Sequence, residues 1–213
     1  MSGVAFEMDG CFFDPDADLA EVRQMVEGFH YSGYIPSAIQ YVATLTDSHD
    51  GIVAAILFTV PATRWGESVY ELARLVSLPG YRPPLTMLIS KACKELVKRK
   101  GADLIVSFAD STHDHHGGIY QAASWAFHGK RKPACDGFHI NGRFVPRRTC
   151  NHRYGTSSAV KVPLICAAKG DTAVPHFDSG KYLYWRAMNH SGRQKAERLK
   201  LSNLPYPKPG VSA

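Results

Sequence analysis

Several common sequence signals are missing from this 213-residue chain. Its five cysteines include no CxxC pair, and their odd number favours reduced thiols in a cytosol over a disulfide framework. The first residues have neither the basic start nor the apolar run of a signal peptide, and no stretch approaches a transmembrane span. We therefore expect a soluble intracellular protein without a membrane partner.

Metal-binding spacings are also missing. The nearest approach to a zinc set is Cys135, His139, Cys150 and His152, whose spacing fits no standard zinc pattern, so we interpret them as scattered structural residues. Residues 113–116 contain three histidines and one aspartate, which is a possible metal site, although a solvated loop is the preferred interpretation.

Acidic residues are the minority among the charged ones. The chain has 25 Lys and Arg against 19 Asp and Glu, a formal net charge of +6, and 45% hydrophobic residues. The basic excess lies in two stretches, 128–161 and 181–208, and suits a polyanionic partner; a solvated basic surface is the alternative. The candidate contacts to DNA phosphates are Lys130, Arg131, Lys132, Arg147, Arg148, Arg193, Lys195, Arg198 and Lys200.

The hydrophobic pattern predicts an α/β protein. Helices are predicted over 18–29, 85–100 and 119–127, and strands over 39–46, 52–60, 69–78 and 102–109. Short strands and loops are expected over 128–161, and a short helix or arm around Arg193 to Lys200. This order predicts a mixed sheet with helices on its faces. We expect a single domain over 1–213, with 181–213 as a basic C-terminal extension.

Two segments carry a family resemblance. One is the buried strand that ends at Asp110, followed by His-His-Gly-Gly-Ile-Tyr-Gln-Ala-Ala-Ser-Trp from His115; the other is His-Tyr-Ser-Gly from His30. Together with Tyr-Glu-Leu-Ala-Arg-Leu at 70–75, Lys-Tyr-Leu-Tyr at 181–184 and the Pro-Tyr-Pro-Lys tail, they resemble the Mom family of phage-encoded adenine-modification proteins. The resemblance implies an acetyltransferase-like (GNAT) fold with a mixed, mostly antiparallel central sheet.

The resemblance also implies an activity. Adenine N6 in double-stranded DNA would be converted to a carbamoylmethyl (acetamido) derivative, which protects phage DNA from restriction in the cytoplasm of a bacterial host. The implied functional positions are His30, Tyr31, Arg74, Asp110 and Tyr120. Because N6 lies inside the base pair, we expect base flipping, with aromatic side chains replacing the lost stacking. The candidates are Tyr31, Tyr34, Trp125 and Phe127, of which the last two are better explained as helical core residues.

Each implied role has a structural alternative. Asp110 would accept the N6 proton, most effectively with a pKa raised by burial, or would simply form an N-cap or Asx turn. Tyr120 resembles the helix tyrosine that many GNATs use as a general acid, or it packs. His30 would be a base or a metal ligand beside Tyr31, or a surface residue.

The donor is open. Ordinary GNATs bind the coenzyme A pyrophosphate on a Q/R-x-x-G-x-G/A loop, whereas residues 78–85 contain one glycine and prolines that remove backbone donors. Arg74 and Arg82 are the candidates for replacing that anion site. Carbamoylmethyl bonds N6 to a methylene and contains an additional nitrogen, so the donor is acetyl-CoA with a rearrangement or a glycine-derived group. Iron bound by His30, Tyr31, Asp110 and Tyr120 is a further hypothesis.

Two other functions stay open. A conventional GNAT acyltransferase on a small amine or protein predicts tight acetyl-CoA binding without DNA. A non-catalytic DNA-binding protein predicts that replacing Asp110 or Tyr120 has no effect. The sequence predicts neither the oligomeric state nor the preferred DNA context.

Overall fold

A computed structural model describes residues 7–8, 10–49, 51–61, 65–113 and 115–208. The chain divides into two compact units. The first unit comprises Met1–Ala109, Gly117–Gly129 and Leu183–Ala213, and the second comprises Asp110–His116 and Lys130–Tyr182. This division was not predicted from the sequence.

The larger sheet is mixed and mostly antiparallel, as predicted. Its strands are β1 (Glu7–Met8), β2 (Cys11–Asp14), β3 (Ile39–Asp47), β4 (Gly51–Thr59), β5 (Val69–Ser77), β6 (Leu104–Asp110), β7 (Ala126–Lys130) and β11 (Lys181–Ala187). Their order is β1-β2-β3-β4-β5-β6-β11-β7. Neighbours from β1 to β5 run antiparallel, whereas β5 and β6 run parallel.

Two predicted helices of the first unit are confirmed. Helix α1 (Leu19–Phe29) begins where Asp18 accepts a hydrogen bond from the Ala20 amide, and its apolar side packs on β4 and β5. Helix α2 (Leu85–Lys100) ends at Gly101, whose left-handed φ of 64° suits a residue without a side chain. Basic residues fill the last turn of α2, where cations complement the helix dipole.

The third predicted helix is shorter than expected. Helix α3 (Gly118–Ala122) ends because the chain turns at Ser124, which has a left-handed φ of 59°, and continues as β7. Trp125 and Phe127 are therefore not helical. Both are buried in the core, with 0% and 7% of their surface exposed, so neither ring is available to a flipped base.

The region beyond residue 181 also differs from the prediction. Residues Lys181–Ala187 form β11 between β6 and β7, so the extension predicted to begin at 181 is wrong for this strand. The helix expected near Arg193 is confirmed as α6 (His190–Arg198), which Asn189 caps by accepting from the Gly192 amide at 2.8 Å.

The second unit has its own sheet and core. Its elements are β8 (Cys135–Ile140), β9 (Arg143–Pro146), α4 (Arg147–Tyr154), α5 (Lys161–Ala167) and β10 (Ala173–Phe177). The strands run antiparallel in the order β10-β8-β9. One sheet face packs on α4 and α5 around Phe138, Ile140, Cys150, Val162 and Cys166. Within the described ranges, no helix of either unit is long and apolar enough to cross a membrane.

Candidate active site

Strands β5 and β6 separate partway along their length. Their parallel pairing runs from Val69 opposite Leu104 to Leu72 opposite Ser107, while β5 continues to Ser77 and β6 to Asp110. On its other side β5 contains a bulge at Ala73, because Leu57 faces Arg74 and Phe58 faces Leu72. A bulge increases local twist and bends the strand. Beyond Leu72 and Ser107 the two strands no longer pair with each other, so a ligand between them can hydrogen-bond to their backbones.

A hydrogen-bonded chain lies at this point of divergence. The Oγ of Ser107 is 2.8 Å from the Leu72 carbonyl and 2.8 Å from the hydroxyl of Tyr120, which α3 supplies. A carbonyl only accepts, so Ser107 donates its one proton to Leu72. Tyr120 must then donate to Ser107.

Burial keeps the Tyr120 phenol neutral. Removal from water, with smaller contributions from Tyr31, Glu71 and Tyr184, raises the pKa of Tyr120 to about 12. Tyr31 and Tyr120, both predicted site residues, belong to the first unit. Tyr120 is therefore a proton donor at neutral pH.

Packing fixes the ring of Tyr120. Its centroid lies 5.4 Å from that of Trp125 and 5.2 Å from that of Tyr184. Gln121 donates to the Tyr184 hydroxyl at 3.1 Å. The start of α3 is equally constrained, because a Cβ on Gly117 would lie 2.6 Å from Cζ of Tyr184.

The loop after α1 orients His30 and Tyr31. The Ser32 amide donates to Nδ1 of His30 at 3.1 Å, so a neutral His30 carries its proton on Nε2. In that tautomer His30 is a hydrogen-bond donor rather than a base. The Tyr31 ring lies 4.2 Å from the His30 ring and is 46% exposed.

Arg74 is held beside the same loop. Its guanidinium lies 4.8 Å from the centre of the Tyr34 ring and donates to the Ala73 carbonyl at 2.6 Å, at the bulge of β5. Its Nε donates to the Tyr34 carbonyl at 3.4 Å. Two N–H groups of Arg74 therefore already donate to backbone carbonyls, and its guanidinium covers one face of the Tyr34 ring.

The loop before α2 offers few amides to an anion. The amides of Tyr81, Leu85 and Met87 already donate to carbonyls at 3.2, 2.7 and 2.9 Å, and prolines 83 and 84 have no amide hydrogen. Arg82 is exposed on this loop. A pyrophosphate here would depend on side chains such as Arg82.

Asp110 lies in the second unit and has two hydrogen-bonding partners. Its Oδ2 is 2.9 Å from the Lys181 ammonium, and its Oδ1 accepts from the Thr112 amide at 3.0 Å, which forms the predicted Asx turn. Burial alone would raise the pKa of Asp110, but the ammonium and the Thr112 hydrogen bonds outweigh it and lower the pKa. The raised pKa that would make Asp110 most effective as a base is therefore not found, and Asp110 is a carboxylate at neutral pH.

Sequence reasoning missed Ser107 as a site residue, and it used Lys181 only in a basic stretch and in the Lys-Tyr-Leu-Tyr segment of the resemblance, without a role in the site. Each had a signal: Ser107 interrupts the buried apolar run of β6, and Lys181 is the one charged residue ahead of Tyr-Leu-Tyr-Trp in β11.

The proposed iron ligands do not fit a metal. Over the ranges that the structure describes, no group of three or more His, Cys, Asp or Glu could hold a metal ion. Tyr120 is neutral and bonded to Ser107, and Asp110 is paired with Lys181. The 113–116 cluster includes Asp114, which lies outside the described residues.

The candidate DNA-contacting residues fall into two groups. The Lys195 ammonium donates to Asp103 at 2.6 Å and to the Glu67 carbonyl at 2.8 Å. Arg131 forms a bidentate salt bridge with the buried Asp178. These two have structural roles. The other candidates are exposed: Lys130, Lys132, Arg147, Arg148, Arg193, Arg198 and Lys200.

Comparison with known proteins gives one sequence family. The chain matches the model of the Mom protein family over residues 16–208. No curated protein matches it.

Among solved structures the chain is similar to several acetyltransferases. The ribosomal-protein-S5-alanine acetyltransferase from Vibrio fischeri has 8% identity and a TM-score of 0.49, covering 88% of this chain and 98% of that one. An aminoglycoside 6'-acetyltransferase type Ii has 15% identity and a TM-score of 0.43, covering 80% and 76%. A variant of the spermidine N-acetyltransferase from Vibrio cholerae has 10% identity and a TM-score of 0.42, covering 76% and 68%.

Proposed function

Because the chain belongs to the Mom protein family, we propose that it modifies adenine in DNA and converts N6 to a carbamoylmethyl derivative. One N6 hydrogen is replaced by a CH2–CO–NH2 group, and the modified DNA resists restriction. The observation that carries the proposal is the buried, neutral Tyr120 where β5 and β6 separate, within the segment that matches the family.

Tyr120 acts as the general acid in this proposal. A pKa of about 12 keeps its proton in place at neutral pH, and Ser107 holds the hydroxyl at 2.8 Å. When the donor group transfers to N6, its leaving group gains negative charge. Tyr120 gives its proton to the leaving group, and Ser107 turns its own proton from the Leu72 carbonyl to the phenolate that remains.

Asp110 acts as the proton acceptor. Adenine N6 is a weak nucleophile, but once it has formed the new bond its remaining protons become strongly acidic. A carboxylate with a lowered pKa is then basic enough, because the acid it deprotonates is stronger still. Lys181 keeps Asp110 ionised for this step.

The His30 loop binds the flipped base. Tyr31 exposes its ring next to the imidazole of His30, so the two rings form one surface for the adenine. Stacking on Tyr31 offsets part of the free energy that the base loses on leaving the duplex. The exposed lysines and arginines bind phosphates, so affinity falls with salt.

A second candidate function follows from the divergence of β5 and β6. The bulge at Ala73 leaves β5 backbone that an extended acyl-CoA arm can hydrogen-bond, which favours a conventional acyltransferase on a small amine or protein. The two candidates differ in their need for DNA. If the chain is a conventional acyltransferase, calorimetry is expected to show tight binding of acetyl-CoA in the absence of DNA.

Restriction resistance tests the proposed function. Plasmid DNA from bacteria that express the chain is digested with one nuclease whose site contains adenine and one whose site contains only G and C. We expect the wild type and Tyr70→Phe to protect only the first site, since the Tyr70 hydroxyl donates to the exposed Lys100 carbonyl and takes no part in the Ser107–Tyr120 hydrogen bond. Tyr120→Phe is expected to abolish protection. Equal cutting of wild-type and Tyr120→Phe plasmids contradicts the proposal.

A further inference from the structure

The outer face of the β10-β8-β9 sheet carries aromatic rings. Strand register places Val174 opposite His139 and His139 opposite Phe144, so these three residues form one row across the sheet. Their chain neighbours on β8, Phe138 and Ile140, point to the opposite face and are buried in the core of the second unit. The row therefore belongs to the face that the core does not use.

Three rings on this face touch one another. The His139 centroid lies 5.7 Å from that of Phe144 and 5.5 Å from that of His176, and the Phe144 and His176 centroids are 5.4 Å apart. Gly137 makes the cluster possible, because a Cβ there would lie 2.5 Å from the Phe144 ring. Asp136 fixes His176 through a 2.7 Å contact with Nδ1. We call His139, Phe144 and His176 the ring face.

The ring face is open to solvent. Phe144 is 37% exposed, the adjoining Val174 is 62% exposed, and His139 is also exposed. A sheet with one buried face normally presents polar side chains on the other. Contiguous exposed rings on a surface mark a place where something binds.

The charge around the ring face is positive. The second unit has ten Lys and Arg against five Asp, an excess of +5, whereas the whole chain has +6. Three of those aspartates are paired, since Asp178 binds Arg131, Asp110 binds Lys181, and Asp136 binds His176. The exposed cations on or beside these strands are Lys132, Arg143, Arg147 and Arg148.

We propose that the ring face binds unpaired DNA bases by stacking, while the surrounding lysines and arginines bind the phosphates. Every base has a flat apolar face, so Phe and His rings stack on it without sequence preference, and a basic border complements a polyanion. The second unit combines both features, which singles out nucleic acid over a neutral apolar partner. The choice of DNA as the polymer rests on the proposed function.

Fluorescence anisotropy with the full chain tests this proposal without any donor. The probes are a labelled single strand of about a dozen nucleotides and an abasic strand of equal length, which has the phosphates but no bases. We expect wild-type protein to bind the base-bearing strand more tightly. Phe144→Leu, which keeps an apolar side chain over Gly137, and His139→Ala should each weaken that binding on the order of tenfold and leave the abasic strand unaffected.

Leu164→Ala is the matched control, because Leu164 is 65% exposed on α5 of the same unit. It should bind both strands as the wild type does. Wild-type affinity that does not distinguish the two strands overturns the proposal, as does a Phe144→Leu protein that retains the difference. Self-association that Phe144→Leu abolishes, with DNA binding unchanged, also overturns it and identifies a second copy as the partner.

The outcomes separate the ring face from the proposed function. A protein that modifies deoxyadenosine but does not distinguish the two strands overturns only the ring face. A protein that binds bases through Phe144 but leaves deoxyadenosine unchanged overturns only the proposed function.

Discussion

The hydroxyl of Tyr120 lies 2.8 Å from Oγ of Ser107, which in turn donates to the carbonyl of Leu72. The contact joins α3 to β6 and β5 where these two strands separate. The orientation of this proton donor therefore depends on how β5 and β6 diverge. Because Tyr120 is buried, its hydroxyl has little access to water as a replacement partner.

Replacing Ser107 by Ala leaves the Tyr120 hydroxyl without its acceptor. An unsatisfied buried hydroxyl costs about 1–3 kcal/mol, so we expect a lower free energy of unfolding and slower modification. In a Tyr120→Phe background the same Ser107→Ala change should cost less, since no hydroxyl is left to satisfy. Denaturant unfolding of the wild type, the two single variants and the double variant gives the four free energies of unfolding. Strictly additive losses would show that Ser107 and Tyr120 are not coupled.

Replacing Lys181 by Met should move the acidic limb of the pH–rate profile to higher pH. Lys181 lowers the pKa of Asp110, and without it burial is opposed only by Thr112. The stabilisation from an ionised Asp110 is present above its unfolded pKa of about 3.9 and is lost as pH falls through the lower folded pKa. Lys181→Met should therefore also reduce resistance to acid unfolding.

The exposed Lys161, which lies in the same unit and is not among the candidate DNA contacts, offers a matched Lys161→Met control for both readouts. That control is expected to keep the wild-type acidic limb. An unshifted limb in Lys181→Met would mean that Asp110 does not control the reaction.

Gly117→Ala should destabilise the protein more than Gly142→Ala. Both glycines have left-handed φ values, 83° and 80°, so each substitution carries a similar backbone cost of about 1–2 kcal/mol. Only Gly117 also has the Tyr184 ring in the way, which adds about 1–3 kcal/mol of overpacking. Thermal unfolding of both variants checks this, and equal losses would contradict close packing of α3 on Tyr184.

Lys132→Ala and Arg131→Ala should separate DNA binding from stability. Lys132 is exposed, so its loss should lower the slope of log affinity against log salt by about one without changing the melting temperature. Arg131 pairs with the buried Asp178, so its loss should lower the melting temperature as well. Salt titrations and thermal melts distinguish the two, and a lower melting temperature for Lys132→Ala would contradict its exposed position.

The sequence pattern correctly predicted those helices whose spacing of apolar residues and end residues are local in the chain. Helices α1 and α2 have apolar residues at helical spacing, and Asp18 and Gly101 mark their ends. Helix α4 was missed because its sequence is almost entirely polar and only Cys150 is buried. The predicted third helix was too long because the left-handed turn at Ser124 is not encoded by a glycine.

The site was predictable only in part. Asp110 and Tyr120 followed from a family resemblance, but their partners come from elsewhere in the chain. Lys181 is 71 positions from Asp110, and Ser107 is 13 positions from Tyr120, so no local pattern links them. The lowered pKa of Asp110 depends on that distant ammonium, so the sequence around Asp110 does not indicate its direction.

Mass spectrometry of nucleosides from plasmid DNA tests adenine modification most directly. DNA is taken from bacteria that express the wild type, Asp110→Asn or Tyr120→Phe, with Tyr70→Phe as the control. We predict a deoxyadenosine species about 57 Da heavier, the gain of C2H3NO expected for a base reached by flipping, in the wild type and Tyr70→Phe. It should be strongly reduced in the other two. Unmodified deoxyadenosine from cells that contain folded, DNA-binding wild-type protein would contradict the account.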